Sequence, residues 1–563
     1  MTDELLLDGK VTDSHTAYVL LQDFRRVTLE VAATLRSTGD MKLSLSTDFA
    51  VGFRPILAVL AVISTVSMTG CATSPARPDA VAASRGNSDR SVAMLNRLTW
   101  GMSTSTADKV KTTDVEAFVR QQLHPTAANL PATAQTQIAS MTISQQTLEQ
   151  LVQTVQQQRK DADALVNDDQ KKAAQQAYQQ ELNRLAREAG TRHILRALYS
   201  PNQVQEQMTW FWLNHFSVHQ YKSDVRALLG DYEEMAIRSH ALGKFKDLLA
   251  SVALHPAMLR YLDNEQNADG HINENYAREL MELHTLGVDG GYSQEDVQEL
   301  ARVLTGVGIN FSAGTPNVKK ELQSLYVRRG LFEFNPNRHD FGEKRLLGQP
   351  IRSRGLAELN EAMDRLARQP ATARFISRKL ATYWISDEPP ARIIDKMTQT
   401  FRETDGDIAA TLQTMFLSPE FVGRHKFKDP MRYVVSAVRL AYDDKPILNT
   451  GPILNWLNRM GEPLYGRPTP DGYPLDSRSW ASPGQMATRF EIAKAIGSGS
   501  AGLFKTEGPQ GQDHPGFPQL ANALYYESLA KTLSPATKAA LEQAGSPQEW
   551  NTFLLASPEF MNR

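Results

Sequence analysis

The sequence predicts a mainly α protein: a large multi-helix globular domain with one long helical hairpin and one small β-hairpin. Three observations carry this. From Pro201 onward apolar residues return at helical spacing in segment after segment. A proline-free stretch from about 143 to 198 is rich in Gln, Lys, Asp and Ala, and strand-like runs are confined to Leu322–Phe334.

Taken in order, the first forty residues carry scattered charges (Asp3, Glu4, Asp8, Asp23, Arg25, Arg26) and no apolar core. From Met41 the pattern changes to basic residues (Lys42, Arg54), an apolar run from Pro55 to Gly70, small residues at Thr69 and Gly70, and then Cys71, the only cysteine of 563 residues. This is the layout of a bacterial lipoprotein signal. Residues 1–40 are therefore expected to be a mis-assigned upstream extension, 41–70 the signal peptide, and Cys71 a lipidated membrane anchor. The apolar run is shorter than the twenty or so residues that span a bilayer. The competing reading of Cys71 is a buried free thiol, which the Ser/Thr/Ala/Pro surroundings disfavour. Ala72 after the cysteine fits sorting to the periplasmic face of the outer membrane if the source is Gram-negative. Residues 71–90, rich in Ala, Ser, Pro and Arg, read as a flexible tether, and 91–563 as the folded body.

Within the body, Val115 to Leu123 reads as a short helix closed by His124-Pro125. The stretch of about 143–198 reads as a helical arm broken at Val166–Asp169. Helices follow over Val204–His219, Val225–Leu242, Phe245–Leu254, Pro256–Leu262, Glu274–Leu286 and Gln294–Leu304. Ser293 and Asp296 form a capping-box pattern at the start of the last of these, and Gly306 ends it. A hairpin is expected near Arg328-Arg-Gly330, and helices resume from about Leu356. The phrase Ser-Pro-Glu-Phe occurs at Ser418–Phe421 and Ser557–Phe560, each time as a helix-restart signal. The loop Gly461–Pro474 and Trp480 are rich in aromatics and rigid turns. They suit a sugar or peptide groove, or, more simply, the cover of a core.

Composition limits the function classes. Lys and Arg number 61 against 63 Asp and Glu, a net charge of −2, so bulk charge gives no nucleic-acid field. Hydrophobic content of 41% is that of an ordinary globular body. One cysteine excludes an intramolecular disulfide. Phosphate-binding loops, dinucleotide fingerprints and the Gly-x-Ser-x-Gly elbow are all missing, so there is no nucleotide or flavin signal.

The densest set of unusual residues comprises Trp210–Phe216, His255–Asn264, Asn273–Gly287, Asp289–Val297, Ala301–Gly306, His339–Gly342 and Arg374–Leu380. Together with the Ser-Pro-Glu-Phe phrases they resemble the bacterial family called domain of unknown function 1800, over roughly Leu95 to the C-terminus. The resemblance implies an exported, mainly helical protein, often encoded beside a second exported family, hence a possible exported protein partner. It implies no reaction.

The residues themselves offer candidates. On a helix from Glu274, Tyr276, Leu280, Leu283 and Gly287 share one face, and Asn275, Arg278, Glu279 and Glu282 another. Glu279 and Glu282, three apart, repel and raise one pKa unless Arg278 or a cation neutralises them. They are candidates for acid–base work or for a divalent metal, while Arg278 and Glu282 also fit an ordinary helical ion pair. His284 falls at the edge of the apolar side, where a satisfied core histidine is the default. His215 and His219, four apart on one expected helix, have metal-pair spacing. Asn264, Asn275, Arg302, His339 and Asp340 complete the candidate binding set. Glu265-x-Asn267-x-Asp269-Gly270 imitates a calcium loop, but its twelfth position is Tyr276 instead of Glu. The expected function is a lipid-anchored envelope protein binding a partner protein or polymer in this polar cleft. The rival reading is a metal-assisted or carboxylate-dependent hydrolase of envelope polymers.

Overall fold

In the computed structural model the structure describes residues 92–563, except 112, 113, 128, 313, 444 and 506–515. The upstream extension, the signal, Cys71 and the tether lie outside the described residues. The described chain is mainly helical, as the apolar periodicity predicts.

After a helical stretch over 92–98 come α1 (Thr104–Lys111), α2 (Val115–Leu123) and α3 (Ala132–Ala139). The arm is a hairpin of α4 (Leu148–Ala164) and α5 (Asp168–Tyr199). Thr147 and Gln150 close a capping box at its start, and the Asn167 side chain accepts from the Gln170 amide to start α5. The break, residues 165–167, therefore overlaps the predicted Val166–Asp169. One flank buries Leu151, Val155, Leu182 and Leu185 against Ala227, so about half the hairpin is anchored to the body.

Helix α6 (Gln203–His215) runs through the centre of the core. The expected helix Val225–Leu242 is instead a series of short turns, with 3-10 geometry at Val225–Ala227, a π-helical segment at Tyr232–Ile237 and 3-10 again at Arg238–His240. The wide turn lets Glu233 enter the core, where it is 1% exposed. There follow α7 (Phe245–Ala253), α8 (Pro256–Tyr261), α9 (Asn275–Glu282) and α10 (Gln294–Val303). Strands β1 (Val307–Ile309), β2 (Val327–Arg329) and β3 (Phe332–Phe334) form an antiparallel sheet in the order β1-β3-β2. The predicted hairpin is β2–β3. The third strand was not expected, because three residues are too few to show alternation. A second small pair joins β4 (Arg345–Leu346) to β5 (Gln349–Pro350).

The C-terminal part consists of α11 (Leu356–Ala367), α12 (Pro370–Trp384), α13 (Ala391–Glu403), α14 (Ile408–Phe416), α15 (Pro430–Tyr442), α16 (Gly451–Arg459), α17 (Pro483–Gly497), α18 (Pro535–Glu542) and α19 (Pro547–Ala556). Each Ser-Pro-Glu-Phe phrase makes one tight turn that returns its Phe to the body. Phe421 packs on Phe416 and Trp384, and Phe560 lies beneath the Lys428 ammonium. The two ends of the described chain meet: Arg97 donates to the main-chain oxygens of Trp384 and Arg563. Among the described residues, no helix is long and apolar enough to cross a membrane.

Candidate functional site

Helix α9 buries Tyr276, Ala277, Leu280 and Met281. That orientation puts Arg278, Glu279 and Glu282 on its half-buried flank and leaves Asn275 exposed, its amide donating to the Leu262 main-chain oxygen at 3.2 Å. Arg278 does not pair with Glu282. Its guanidinium reaches back to Glu274 at 3.0 Å and Gln294 at 2.9 Å, and Gln294 also donates to Glu274, so the start of α9 holds the arginine in a three-residue network. Glu282 receives only the Tyr292 hydroxyl at 3.5 Å. The Glu279 carboxylate makes no hydrogen bond or ion pair among the described residues. Burial, then the neighbouring Glu282 and Asp471, push its pKa up against the opposing pull of Arg278.

Past Glu282 the helix widens. The amide of His284 bonds the Glu279 oxygen at 3.1 Å, and the amide of Leu286 bonds the Met281 oxygen at 2.8 Å, both five residues back. This turn rotates His284 fully into the core, beside Phe216. Neither ring nitrogen has a partner among the described residues, so the expected satisfied core histidine is corrected to an unsatisfied one. Burial, and secondarily the nearby Lys379, lower its pKa to about 3.

His215 is the last residue of α6, where the chain leaves helical geometry at Phe216. His219 therefore does not share a helix face with it and looks toward the main chain of Gly466 and Arg467. The expected metal pair is not formed. Among the described residues no group of three or more His, Cys, Asp or Glu could hold a metal ion. His215 instead joins two elements: its Nδ1 is 2.9 Å from Nζ of Lys379 on α12, and its Nε2 donates to the His284 main-chain oxygen at 3.1 Å. Dense packing around the Lys379 ammonium lowers its pKa to about 8, with Asp471 opposing the shift.

The loop of residues 461–474 closes over this end of α6. Tyr473 and Asn214 exchange backbone-to-side-chain hydrogen bonds of 2.5 and 3.0 Å. Gly472 has φ +77°, and a Cβ there would collide with the Asn214 main-chain oxygen. The Tyr261 hydroxyl donates to the Pro468 oxygen at 2.8 Å. Tyr465, itself at φ 56°, donates to the buried Glu233, which also meets His193 at 3.0 Å. Only about 10 Å³ of space remains between Arg467 and Tyr473 of the loop and Trp210 and Asn214 of α6, room for at most one water. The loop is thus a cover, the simpler of the two expected roles. It also delivers Asp471, paired with Arg467 at 2.9 Å, to the flank of Glu279.

The other candidates form separate, fully used networks. Asn264 is buried and donates to the Val307 and Leu304 oxygens at 2.8 and 3.3 Å. Asn267 donates through Nδ2 to the Ala301 oxygen at 2.8 Å and accepts on Oδ1 from the Asn273 amide at 2.9 Å, so the oxygen a calcium loop would use is turned inward. Arg302 binds Asp340 at 2.7 Å and Glu299 at 2.6 Å. The arginine holds the Asp340 carboxyl at about 2. His339 donates to the Thr305 main-chain oxygen at 2.8 Å and meets Glu358 at 3.0 Å, with Lys344 on the other carboxylate oxygen at 2.8 Å. These residues brace the sheet against α10 and α11 and do not converge on Glu279.

A family model described as "Protein of unknown function (DUF1800)" matches residues 93–562. The chain belongs to the DUF1800 family. No curated protein and no solved structure matches it. The DUF1800 match covers both the Glu279–Asp471 flank and the His215–Lys379 contact. Two members of that site, Lys379 and Asp471, were not among the sequence candidates. The available signal for Lys379 was a charged residue set among Ile376, Leu380 and Tyr383 on an otherwise inward face.

Proposed function

We propose that this DUF1800 protein is an exported, lipid-anchored cell-envelope protein. It binds a partner protein or polymer through the polar cleft bounded by Glu279, Glu282 and Asp471 and backed by the His215–Lys379 pair. The lipoprotein signal ending at Cys71 supports the anchor. One observation carries the cleft: Glu279 is half-buried, its carboxylate acquires no donor among the described residues, and it is flanked by two further carboxylates. A ligand rich in hydroxyl or amine donors would supply what it lacks.

A Glu279→Gln, Glu282→Gln double variant is expected to fold and to lose its cross-linked partner or polymer in intact cells; unchanged capture with an intact fold would remove the site. Radiolabelled palmitate is expected to enter the wild-type protein and not Cys71→Ala; equal labelling of both would end the anchor reading.

A carboxylate-dependent hydrolase of envelope polymers remains the second reading, and the His215–Lys379 contact favours it. An amine titrating near neutrality on a neutral imidazole can accept or deliver a proton. Polymer turnover abolished by Glu279→Gln with binding retained would select this reading over pure binding.

A further inference from the structure

A cavity of about 560 Å³ lies between residues 92–102, the segment before α15, the segment 527–533 and the C-terminal turn after α19. We propose that it binds an organic anion, specifically a carboxylate carried on an apolar body, with the Lys428 ammonium as the principal contact.

The charge around the cavity is out of balance. Arg97, Lys428, Arg432, Arg489 and Arg563 are each 6% exposed or less, and among the described residues none of them forms an ion pair with an Asp or Glu. Their hydrogen bonds go mostly to neutral acceptors: Arg97 to the Trp384 oxygen at 2.9 Å, Arg432 to the Thr99 oxygen at 2.9 Å and to Gln207, Arg489 to the Lys428 oxygen at 2.7 Å, and Arg563 to the Tyr383 oxygen, while Arg97 also reaches the Arg563 main-chain oxygen at 3.2 Å. Nε and one terminal nitrogen of Arg563 have no partner.

Two acids are near. Asp429 caps α15 by accepting from the Arg432 amide at 2.7 Å. Glu462 accepts from the Met431 amide at 2.8 Å, and burial, then Asp429, drive it toward its neutral form. Even counting a carboxylate at Arg563 itself, cations outnumber anions. A buried surplus of one sign is costly, and an anion that enters relieves it.

Lys428 is the member of the cluster placed to meet a ligand. Its ammonium has a hydroxyl acceptor, Ser436 Oγ at 3.1 Å, and the Phe560 ring at 3.7 Å, and all three residues line the cavity. Burial, then the neighbouring Arg432, Arg489 and Arg563, lower the Lys428 pKa, so an arriving carboxylate would favour its protonated form, whose three donors leave capacity beyond Ser436. Of the lining acids, Glu559 is committed to Ser534 and Thr537, both at 2.8 Å, and the lining holds Lys531 and Arg424 as well as Glu527. The lining also supplies apolar surface from Leu440, Leu529, Leu533 and Leu554. The volume is that of a site for a small organic molecule. One charged contact and this apolar surface define the ligand class.

The test uses the full chain in nanodiscs of zwitterionic lipid, with empty nanodiscs as blank. Calorimetric titration compares 4-phenylbutyrate with its uncharged amide. The acid is expected to bind at least about tenfold more tightly than the amide. Lys428→Met, which removes a cation from a like-charged group, is expected to lose that binding while melting no lower than wild type. Leu529→Trp fills the cavity without touching any charge and is expected to lose binding too, so it decides the matter should Lys428→Met not fold. Equal uptake of acid and amide, no uptake by the wild type, or uptake that survives Leu529→Trp overturns the proposal.

Discussion

Lys379 Nζ stands 2.9 Å from Nδ1 of His215. Because Nε2 of the same ring donates to the His284 main-chain oxygen at 3.1 Å, the imidazole is a neutral relay that accepts on one side and donates on the other. Burial first, and the Lys379 charge second, keep His215 far below its ordinary pKa. Replacing Lys379 with Met leaves Nδ1 buried without a donor, and should cost about 1–3 kcal/mol in urea unfolding. Lys379→Arg, which preserves a donor, should recover part of that loss.

Acid should unfold the protein through its buried histidines. Both His215 and His284 stay neutral in the fold, and His284 has a pKa of about 3 against 6.5 for a free imidazole. Below the free value the unfolded chain binds more protons than the native one, so stability falls as pH falls from 6.5 toward 3. The expected slope is about 1.4 kcal/mol per pH unit for each histidine. His284→Leu, which loses no hydrogen bond from its ring, should leave neutral-pH stability within about 1 kcal/mol and make the pH dependence of the urea midpoint visibly shallower.

Glu279 has the opposite sign. Its pKa is raised, so its charge destabilises the fold at neutral pH, and its favourable contribution is present only below the unfolded value and is lost as pH rises through the folded one. Glu279→Gln should therefore melt at or slightly above the wild type at neutral pH and lose that advantage in acid. Solvent screening keeps the difference under about 1 kcal/mol. Differential scanning calorimetry at the two pH values checks it.

Much of this architecture could be read in the sequence. Helix existence followed from apolar spacing, and the arm's turn at Val166 and Asn167 from local capping chemistry. The breakdown of Val225–Leu242 into 3-10 and π turns was not legible, because Glu233 is drawn inward by partners from two other segments, His193 and Tyr465. The site was half legible. Glu279 and Glu282 share a helix and a spacing, whereas His215 and Lys379 lie 164 residues apart and meet only through packing. His339, a sequence candidate, proved to be a brace because Glu358 and Lys344 come from elements no local pattern connects to it.

That brace supplies a further expectation. Glu358 holds both His339 and Lys344, whose side chains are 0% and 1% exposed. Glu358→Gln leaves a buried ammonium without its counter-charge and should destabilise by about 3–5 kcal/mol. Equilibrium unfolding measures this; a loss below about 1 kcal/mol would show that the network contributes little.

Gly472→Ala tests the cover. The added methyl group would force residues 461–474 away from Asn214, at a cost of about 1–3 kcal/mol. Protease cleavage inside the loop should accelerate while the arm keeps its wild-type rate.

The clasp between Arg97 and the final residue has a consequence for biogenesis. A ribosome makes the 92–98 stretch early and its acceptors at Trp384 and Arg563 hundreds of peptide bonds later, so this stretch must wait for residue 563 before its guanidinium is fully sheltered. Contacts of such long sequence separation form slowly. A truncation that removes Arg563 would cost the guanidinium one of these late acceptors and leave it those at Trp384 and Ile385.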